Sequence, residues 1–515
     1  MIEIGDKPLT LNDMYAIVLE GQKVKLSTKA LKKVDESYHF LNEFSKGKLI
    51  YGINTGFGPM AQYKIKDQDL RQLQYNLIRS HCSGAGNLLT PSDVRALMVA
   101  RLSSLMQGYS GVNKELVNLI KDLINKEIYP IIFEHGGVGA SGDLVQLAHL
   151  AQGLIGEGDV WYQGKITPAA TVFRKEKIKP LTIHKREGIA VLNGTSAMTG
   201  IGAMNLVYAG KLLNWSVILS AMINEVVEAY DDHFSVELNR LKPHKGQQKV
   251  AAAMHKIVSK SKLIKKRSDI LYQSKNIETQ DIVKEKVQEY YSLRCVPQIL
   301  GPVHDTIDYA VGIIMGEVNS VNDNPIIDVS AKDVFHGGNF HGDYVALEMD
   351  KLKISITKLA MLAERQLNYL LNDKLNQKLS PFLNLGVLGL NYGMQGMQFT
   401  ATSTVAECQT LSNPVYVHSI PNNNDNQDIV SMGTNAALIT RKVIENAFEV
   451  LAIHAIAVAQ AIDGMNSSQR LSPFSAKVYR EIREVCPVIK EDKAMYKITS
   501  LVKEHLKKGK NELFK

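Results

Sequence analysis

Leu352, Ile356, Leu359, Ala363, Leu367 and Leu370 follow one another at spacings of 4, 3, 4, 4 and 3 residues. Apolar side chains at that period line one face of an α-helix, and this face runs for about 30 residues. Similar patterns cover roughly 197–230 and 434–463. An ordinary globular helix has only about 11–12 residues. Helices this long must cover their apolar faces with one another or with further copies of the chain. The expectation is a mainly α protein organised around a long-helix bundle.

The remainder arranges itself about that bundle. Residues 1–60 mix short strand-like and helical pieces, and 67–125 read as helices. This suggests a small mixed N-terminal part at 1–195, the bundle at 196–465 and a helical tail at 466–515. Hydrophobic residues make up 45% and charged residues 22%, which excludes a disordered chain. The net charge of +8 is spread out. Short basic runs such as Lys262–Arg267 come without a nucleic-acid-binding module, so they read as solvated surface and no nucleic-acid partner is expected. Cys82, Cys295, Cys408 and Cys486 form no Cys-x-x-Cys pair and no zinc-ligand pattern, as expected of reduced thiols. No basic segment followed by an apolar run opens the sequence. The apolar stretch Val450–Ile462, interrupted by His454 and Gln460, reads as too short and too polar to span a membrane. A cytoplasmic protein is expected.

Two glycine-punctuated segments stand apart from the helices. One is Tyr51-Gly-Ile-Asn-Thr-Gly-Phe-Gly58. The other runs from Phe133-Glu-His-Gly-Gly137 through Val138 to Gly139-Ala140-Ser141-Gly142, and feeds a helix expected to begin near Asp143, a favourable first-turn acid. Ala-Ser-Gly alone is common and by default is a turn before a helix. A phosphate loop is excluded, because no Gly-Lys-Ser/Thr follows. Ala-Ser-Gly can, however, cyclise. The Gly142 nitrogen attacks the Ala140 carbonyl carbon, water leaves, and a second dehydration at Ser141 yields 4-methylidene-imidazol-5-one (MIO). Gly142 permits the close backbone approach, and Ser141 supplies the hydroxyl that departs. The product is a strong electrophile made from protein alone.

Gly139-Ala140-Ser141-Gly142-Asp143-Leu144 followed by Leu147-Ala148-His149 resembles the signature of the aromatic amino-acid ammonia-lyases, which act on histidine, phenylalanine or tyrosine. That motif often reads Ala-Pro where this chain has Val145-Gln146, a departure outside the ring. The resemblance extends, in order, through the Tyr51–Gly58 segment, Leu192-Asn193-Gly194-Thr195, Gln288-Glu-Tyr-Tyr291-Ser-Leu-Arg294-Cys295-Val-Pro-Gln298, Asn322-Asp-Asn-Pro325, Gly337-Gly-Asn-Phe340 and Asn426-Gln427-Asp428. It spans roughly 10–460. It implies the ammonia-lyase/fumarase-like helical fold, a homotetramer with active sites shared between chains, and MIO formed from Ala140, Ser141 and Gly142. No metal or pyridoxal phosphate is implied.

The resemblance also implies roles for residues that are unremarkable by themselves. Tyr51, otherwise a loop tyrosine, corresponds to the catalytic base on a mobile lid; any tyrosine in that role needs positive charge or a helix end nearby. Arg294, otherwise a surface cation, corresponds to the group that grips the substrate carboxylate. Gln288 and Tyr291 share a helix face with Arg294 if that segment is helical, and resemble residues that steady ring and substrate. Asn193, by default a turn or cap residue, corresponds to a contact of the ring or the carboxylate. Phe340, otherwise core, corresponds to a wall of the pocket. Glu407 resembles a glutamate facing the amine, and Asn426 and Gln427 resemble pocket amides, although Asn422–Asn426 could be an exposed polar loop.

Selectivity is expected at Ser80-His81. That pair is common in histidine lyases, and His81 can hydrogen-bond an imidazole or a phenol, whereas phenylalanine would leave the pair unpaired. The chain as a whole instead resembles a group of bacterial tyrosine ammonia-lyases, through Gln74–His81, Phe133–Gly139, Asp231–Ser235 and Asn422–Asp428. The expected reaction is elimination of ammonia from L-tyrosine to give trans-p-coumarate, with the electrophile taking either the amine or the aromatic ring. Conversion of L-histidine to urocanate is the alternative. A tyrosine 2,3-aminomutase and a non-catalytic helical scaffold are further readings.

Overall fold

The computed structural model describes residues 1–273, 282–283, 285–509 and 512–514. Helix accounts for 58% of it, which bears out the mainly α class. The apolar period at 352–370 lies within the 29-residue helix Asp343–Leu371, and all six of its apolar residues are buried. The other two patterns fall within Ser196–Val226 and Gly433–Gly464, of 31 and 32 residues. A fourth long helix, Val296–Val318, carries Pro302 in its second turn. Val450–Ile462 is therefore part of a helix long enough to cross a membrane, contrary to the reading of its length from sequence. Most of the apolar windows of Ser196–Val226 and Gly433–Gly464, 72% and 83%, are nevertheless buried in the protein, so these are core helices.

The chain forms two compact units, and four of the five boundaries between them fall inside the long helices. One comprises Met1–Val207, Ala310–Lys351 and Pro414–Arg441, the other Tyr208–Tyr309, Leu352–Asn413 and Lys442–Lys515. Each gathers three chain segments, whereas the proposed parts 1–195, 196–465 and 466–515 are consecutive stretches. The first unit holds the small sheets. Ile2–Ile4 pairs in parallel with Val24–Leu26, and Tyr129–Pro130, Asp159–Tyr162 and Lys165–Pro168 make an antiparallel meander. Within 67–125, read from sequence as helices, the helices are present but the unexpected strand Ala85–Leu88 separates Leu70–His81 from Pro91–Leu105 and pairs with Phe133–His135. Gly86, at φ +85°, sits where that pairing shifts register, an irregularity glycine accommodates.

Polar side chains lock the packing within each unit. In the first, Asn205 Nδ2 donates to Ala437 O at 2.8 Å, and Arg441 Nε donates to Asn205 Oδ1 at 2.6 Å. Arg101 and Arg186 are wholly buried and share Asp323, with nitrogen–oxygen distances of 4.0 and 3.1 Å. Arg101 also donates to Asn322 Oδ1 at 3.0 Å and to the Ala190 carbonyl, and Arg186 donates to the Ser110 and Pro325 carbonyls. Burial pulls Arg101 down to about 10, with Asp323 opposing, so it stays charged at neutral pH. In the second unit, Gln366 Nε2 donates to Ser220 Oγ and to Ser292 O, both at 2.9 Å. His454 is fully buried there, and neither ring nitrogen has a hydrogen-bond partner among the described residues.

Two expected outcomes follow from these buried groups. Asp323→Ala leaves two buried cations without their carboxylate and should cost about 3–5 kcal/mol in denaturant unfolding; a cost below about 1 kcal/mol would show that the cluster is solvated. Burial alone holds His454 at about 3, against an ordinary 6.5. The unfolded chain then binds more protons across that window, so this group's stabilising contribution is lost as pH falls from 6.5 towards 3. Thermal melts of wild type and His454→Leu from pH 7 to 4 should diverge, with the variant increasingly the more stable; parallel curves contradict this.

Candidate active site

The glycine-rich loop is held by backbone contacts that only glycine allows. Gly139 has φ +77°, and a Cβ there would lie 2.0 Å from Ser431 Oγ. Its carbonyl accepts from Gly342 N at 3.0 Å and Ser431 Oγ at 3.1 Å. Gly142 has φ +72°, and a Cβ there would lie 2.1 Å from Gly194 O, the acceptor for Asp143 N at 2.8 Å. Gly194 in turn lies against the buried Arg101 guanidinium, 2.1 Å from where its own Cβ would stand.

Asp143 does not act as sequence suggested. It occupies the N-cap position of Leu144–Leu154 but makes no side-chain bond to that helix. Its carboxylate accepts from Ala197 N and Met198 N at 2.8 and 2.9 Å, the first turn of Ser196–Val226, and from the Thr434 hydroxyl. A second helix N-terminus reaches it first. Burial pushes it up to about 6, although these donors pull the other way.

Beside this loop lies a cavity of about 820 Å³, in the range of small-molecule sites. It is lined by Tyr51, Ser80, His81, Ser141, Asn193, Phe340, Asn426 and Gln427, all singled out from sequence. Asn193, at the C-cap of Glu187–Leu192, donates through Nδ2 to Ser141 O at 3.0 Å. Gln427 Nε2 donates to Ser141 Oγ at 2.9 Å. Ala140 and Gly142 flank Ser141 in the chain. Tyr51 is held by Gly58 N, which donates to its oxygen at 3.2 Å, and by an edge-on contact with Phe57.

Ser80 and His81 end the helix Leu70–His81. His81 Nδ1 lies 2.9 Å from Leu77 O and 3.1 Å from Ser80 Oγ. A carbonyl can only accept, so Nδ1 carries the proton in that contact and neutral His81 keeps its Nε2 lone pair. That nitrogen can accept a hydrogen bond.

Gln288, Tyr291, Arg294 and Glu407 are not among the residues lining this cavity. The first three line a hollow of about 550 Å³ in the second unit, with Arg365 and Tyr369. They do not share a helix face: Tyr290 is extended (φ −62°, ψ 156°), the helical turn is only Tyr291–Arg294, and Gln288 precedes it. The Arg294 guanidinium lies 4.6 Å from the Tyr291 ring centre. Glu407 is on the exposed side of Gln395–Leu411, accepting from Asn446 Nδ2 at 2.5 Å, with Lys442 at 3.5 Å.

Sequence reasoning missed Asn324, His336 and Asn423, which also line the cavity. Each lies within or beside a motif already noted. Asn423, Asn424 and Asp425 are all left-handed, at φ 57°, 52° and 57°. Asn and Asp tolerate that region best after glycine, which accounts for the run Asn422–Asn426.

A family model described as aromatic amino acid lyase matches residues 9–484. The chain is 37% identical over 507 residues to a tyrosine 2,3-aminomutase from Chondromyces crocatus, covering 98% of this chain and 95% of that one. It is 37% identical over 510 residues to a histidine ammonia-lyase from Shouchella clausii, covering 99% and 98%. Among solved structures, a tyrosine aminomutase from Streptomyces globisporus matches with a TM-score of 0.95 and 35% identity over 99% of this chain and 97% of that one. A histidine ammonia-lyase from Trypanosoma cruzi matches with a TM-score of 0.89 and 31% identity, over 99% and 94%. With its signature loop beside the cavity and its likeness running from end to end, the chain belongs to the aromatic amino acid lyase family.

Proposed function

We propose that the chain eliminates ammonia from L-tyrosine to give trans-p-coumarate, using MIO formed from Ala140, Ser141 and Gly142. The observation that carries this reading is Ser141 itself. Its hydroxyl, the group lost in the second dehydration, faces the cavity and is bound by Gln427, while its carbonyl is bound by Asn193. Gly142 fits the ring-forming role, because its packing on Gly194 leaves no room for a side chain. Once formed, the group supplies the electrophile that the amino acid's own functional groups lack.

The chain's residues do the rest. Tyr51 takes the β-proton, and His81 Nε2 accepts the phenol hydroxyl of the substrate. Phe340 packs beside the reacting carbon, and Asn426 lines the cavity as a pocket amide. Arg294 holds the carboxylate in a two-pronged pair, fixing the geometry. Gln288 and Tyr291 steady it, and Glu407 faces the amine. These four come from neighbouring chains of a homotetramer, each of whose sites is completed by residues of other subunits. The protein acts in the cytoplasm.

Two further readings have particular support. The likeness to tyrosine 2,3-aminomutases favours an enzyme that returns ammonia to the β-carbon. The Ser80-His81 pair and the histidine ammonia-lyase relatives favour histidine. Incubating purified protein with L-tyrosine, L-histidine and L-phenylalanine, with product and ammonia quantified separately, tests all three. Coumarate with matching ammonia is expected. β-Tyrosine without matching ammonia identifies the mutase, and urocanate identifies the histidine enzyme.

Ser141→Ala should remain folded and lose about a thousandfold or more in turnover, since most of the rate acceleration depends on the electrophile. Near-wild-type turnover would remove the cofactor assignment. Tyr51→Phe should lower kcat by about 10²–10⁴-fold while assembly is unchanged, and an unaltered kcat would remove Tyr51 as the base. His81→Phe should shift preference towards phenylalanine; an unchanged substrate ranking contradicts its role.

A further inference from the structure

The helix Leu144–Leu154 leaves the glycine-rich loop with two buried polar side chains, Gln146 and His149, on one face. Gln146 Nε2 donates to Phe133 O at 3.4 Å and Glu134 O at 3.2 Å. Both acceptors are carbonyls, so the amide nitrogen must face them. Its Oε1 is buried without a partner among the described residues, 2.5 Å from where a Cβ on Gly137 would stand. His149 Nε2 accepts from Gly84 N at 3.2 Å, and its ring packs on Phe133 at 5.2 Å between centres. Burial lowers the His149 pKa, which preserves the lone pair that this bond uses.

Gly84 lies three residues beyond His81, just before the strand Ala85–Leu88 that pairs with Phe133–His135. A Cβ on Gly84 would come within 2.9 Å of Phe133 Cβ and 3.0 Å of His149 Nε2, so the backbone passes as close as glycine allows. Gln146 thus grips the strand that leads into the loop, and His149 grips the turn that leaves the selectivity pair. Neither residue is among those lining the cavity. Both belong to the helix that starts three residues after Ser141 and two after Gly142.

We propose that Gln146 and His149 are positioning residues for substrate selectivity, fixing His81 relative to Ser141 so that its ring nitrogen meets the para-hydroxyl of the substrate. The proposal rests on the reading of His81 as partner to that hydroxyl. A hydrogen bond weakens steeply once distance or angle drifts, whereas packing against the remainder of an aromatic ring does not. Loosening the clamp therefore removes recognition of the hydroxyl and leaves the rest of binding in place.

Trans-p-coumarate and trans-cinnamate differ only in that hydroxyl, and their dissociation constants report it without turnover. Wild type should prefer coumarate. His149→Leu should reduce the preference about tenfold, the effect of one lost hydrogen bond. His149→Gln, which keeps an acceptor at similar reach, should restore most of it. Gln146→Pro, tolerated in a first helical turn, should also reduce it and decides the matter where His149→Leu fails to assemble. A merely structural role would weaken both acids alike. Wild-type preference that survives Gln146→Pro and His149→Leu overturns the clamp alone. A wild type that binds both acids equally overturns the tyrosine reading and the clamp with it.

Discussion

The contact between Gly142 and Gly194, with Asp143 beside it, is the point on which the site depends. Asp143 N donates to Gly194 O, and its carboxylate takes the first-turn amides of Ser196–Val226 and the Thr434 hydroxyl. Three distant stretches of chain, around residues 142, 195 and 434, are thereby held at one buried carboxylate. Ser141 is left facing the cavity as a consequence. A side chain at 142 would part the two stretches of backbone, and one at 194 would run into the Arg101 guanidinium and the Asn322 amide. A group this buried, with three donors, is costly to lose and difficult to replace by a residue of another shape.

Beneath that contact lies a second layer of buried charge. Arg101 presses on Gly194 from the far side, and Asp323 joins it to Arg186. Asn322 and Asn324 flank Asp323, so one short segment both anchors the arginines and lines the cavity. Catalytic groups that must be held to a fraction of an ångström need such support, and loop residues do not supply it alone. The tight packing also accounts for the arrangement of functions along the chain: rigid helices bear the weight, and short loops between them carry Tyr51, Ser141 and Gln427.

The long helices were legible because burial repeats at helical period, and every apolar position of the 352–370 pattern is buried. Pro91–Leu105 shows the limit of that signal. It is buried on nearly all sides, polar residues included, so no exposed polar face marks its period, and Asp93, Arg95 and Arg101 stand out from sequence only as isolated charges. Ser141 and its neighbours were legible from motif chemistry. The break at Tyr290 was not, because nothing in Gln288–Arg294 forbids a continuous helix. The role of Asp143 was not either, since its partners at 197, 198 and 434 are far away in sequence.

Everything the site does depends on whether the chain makes its own electrophile. Cyclisation and dehydration of Ala140-Ser141-Gly142 remove two molecules of water and leave every other residue unchanged. The intact mass of the purified protein, measured under denaturing conditions, reads that loss directly against the 57.1 kDa sequence mass. A deficit of two waters, absent in the Ser141→Ala protein, is the predicted result. A folded wild-type protein at its full sequence mass would contradict it.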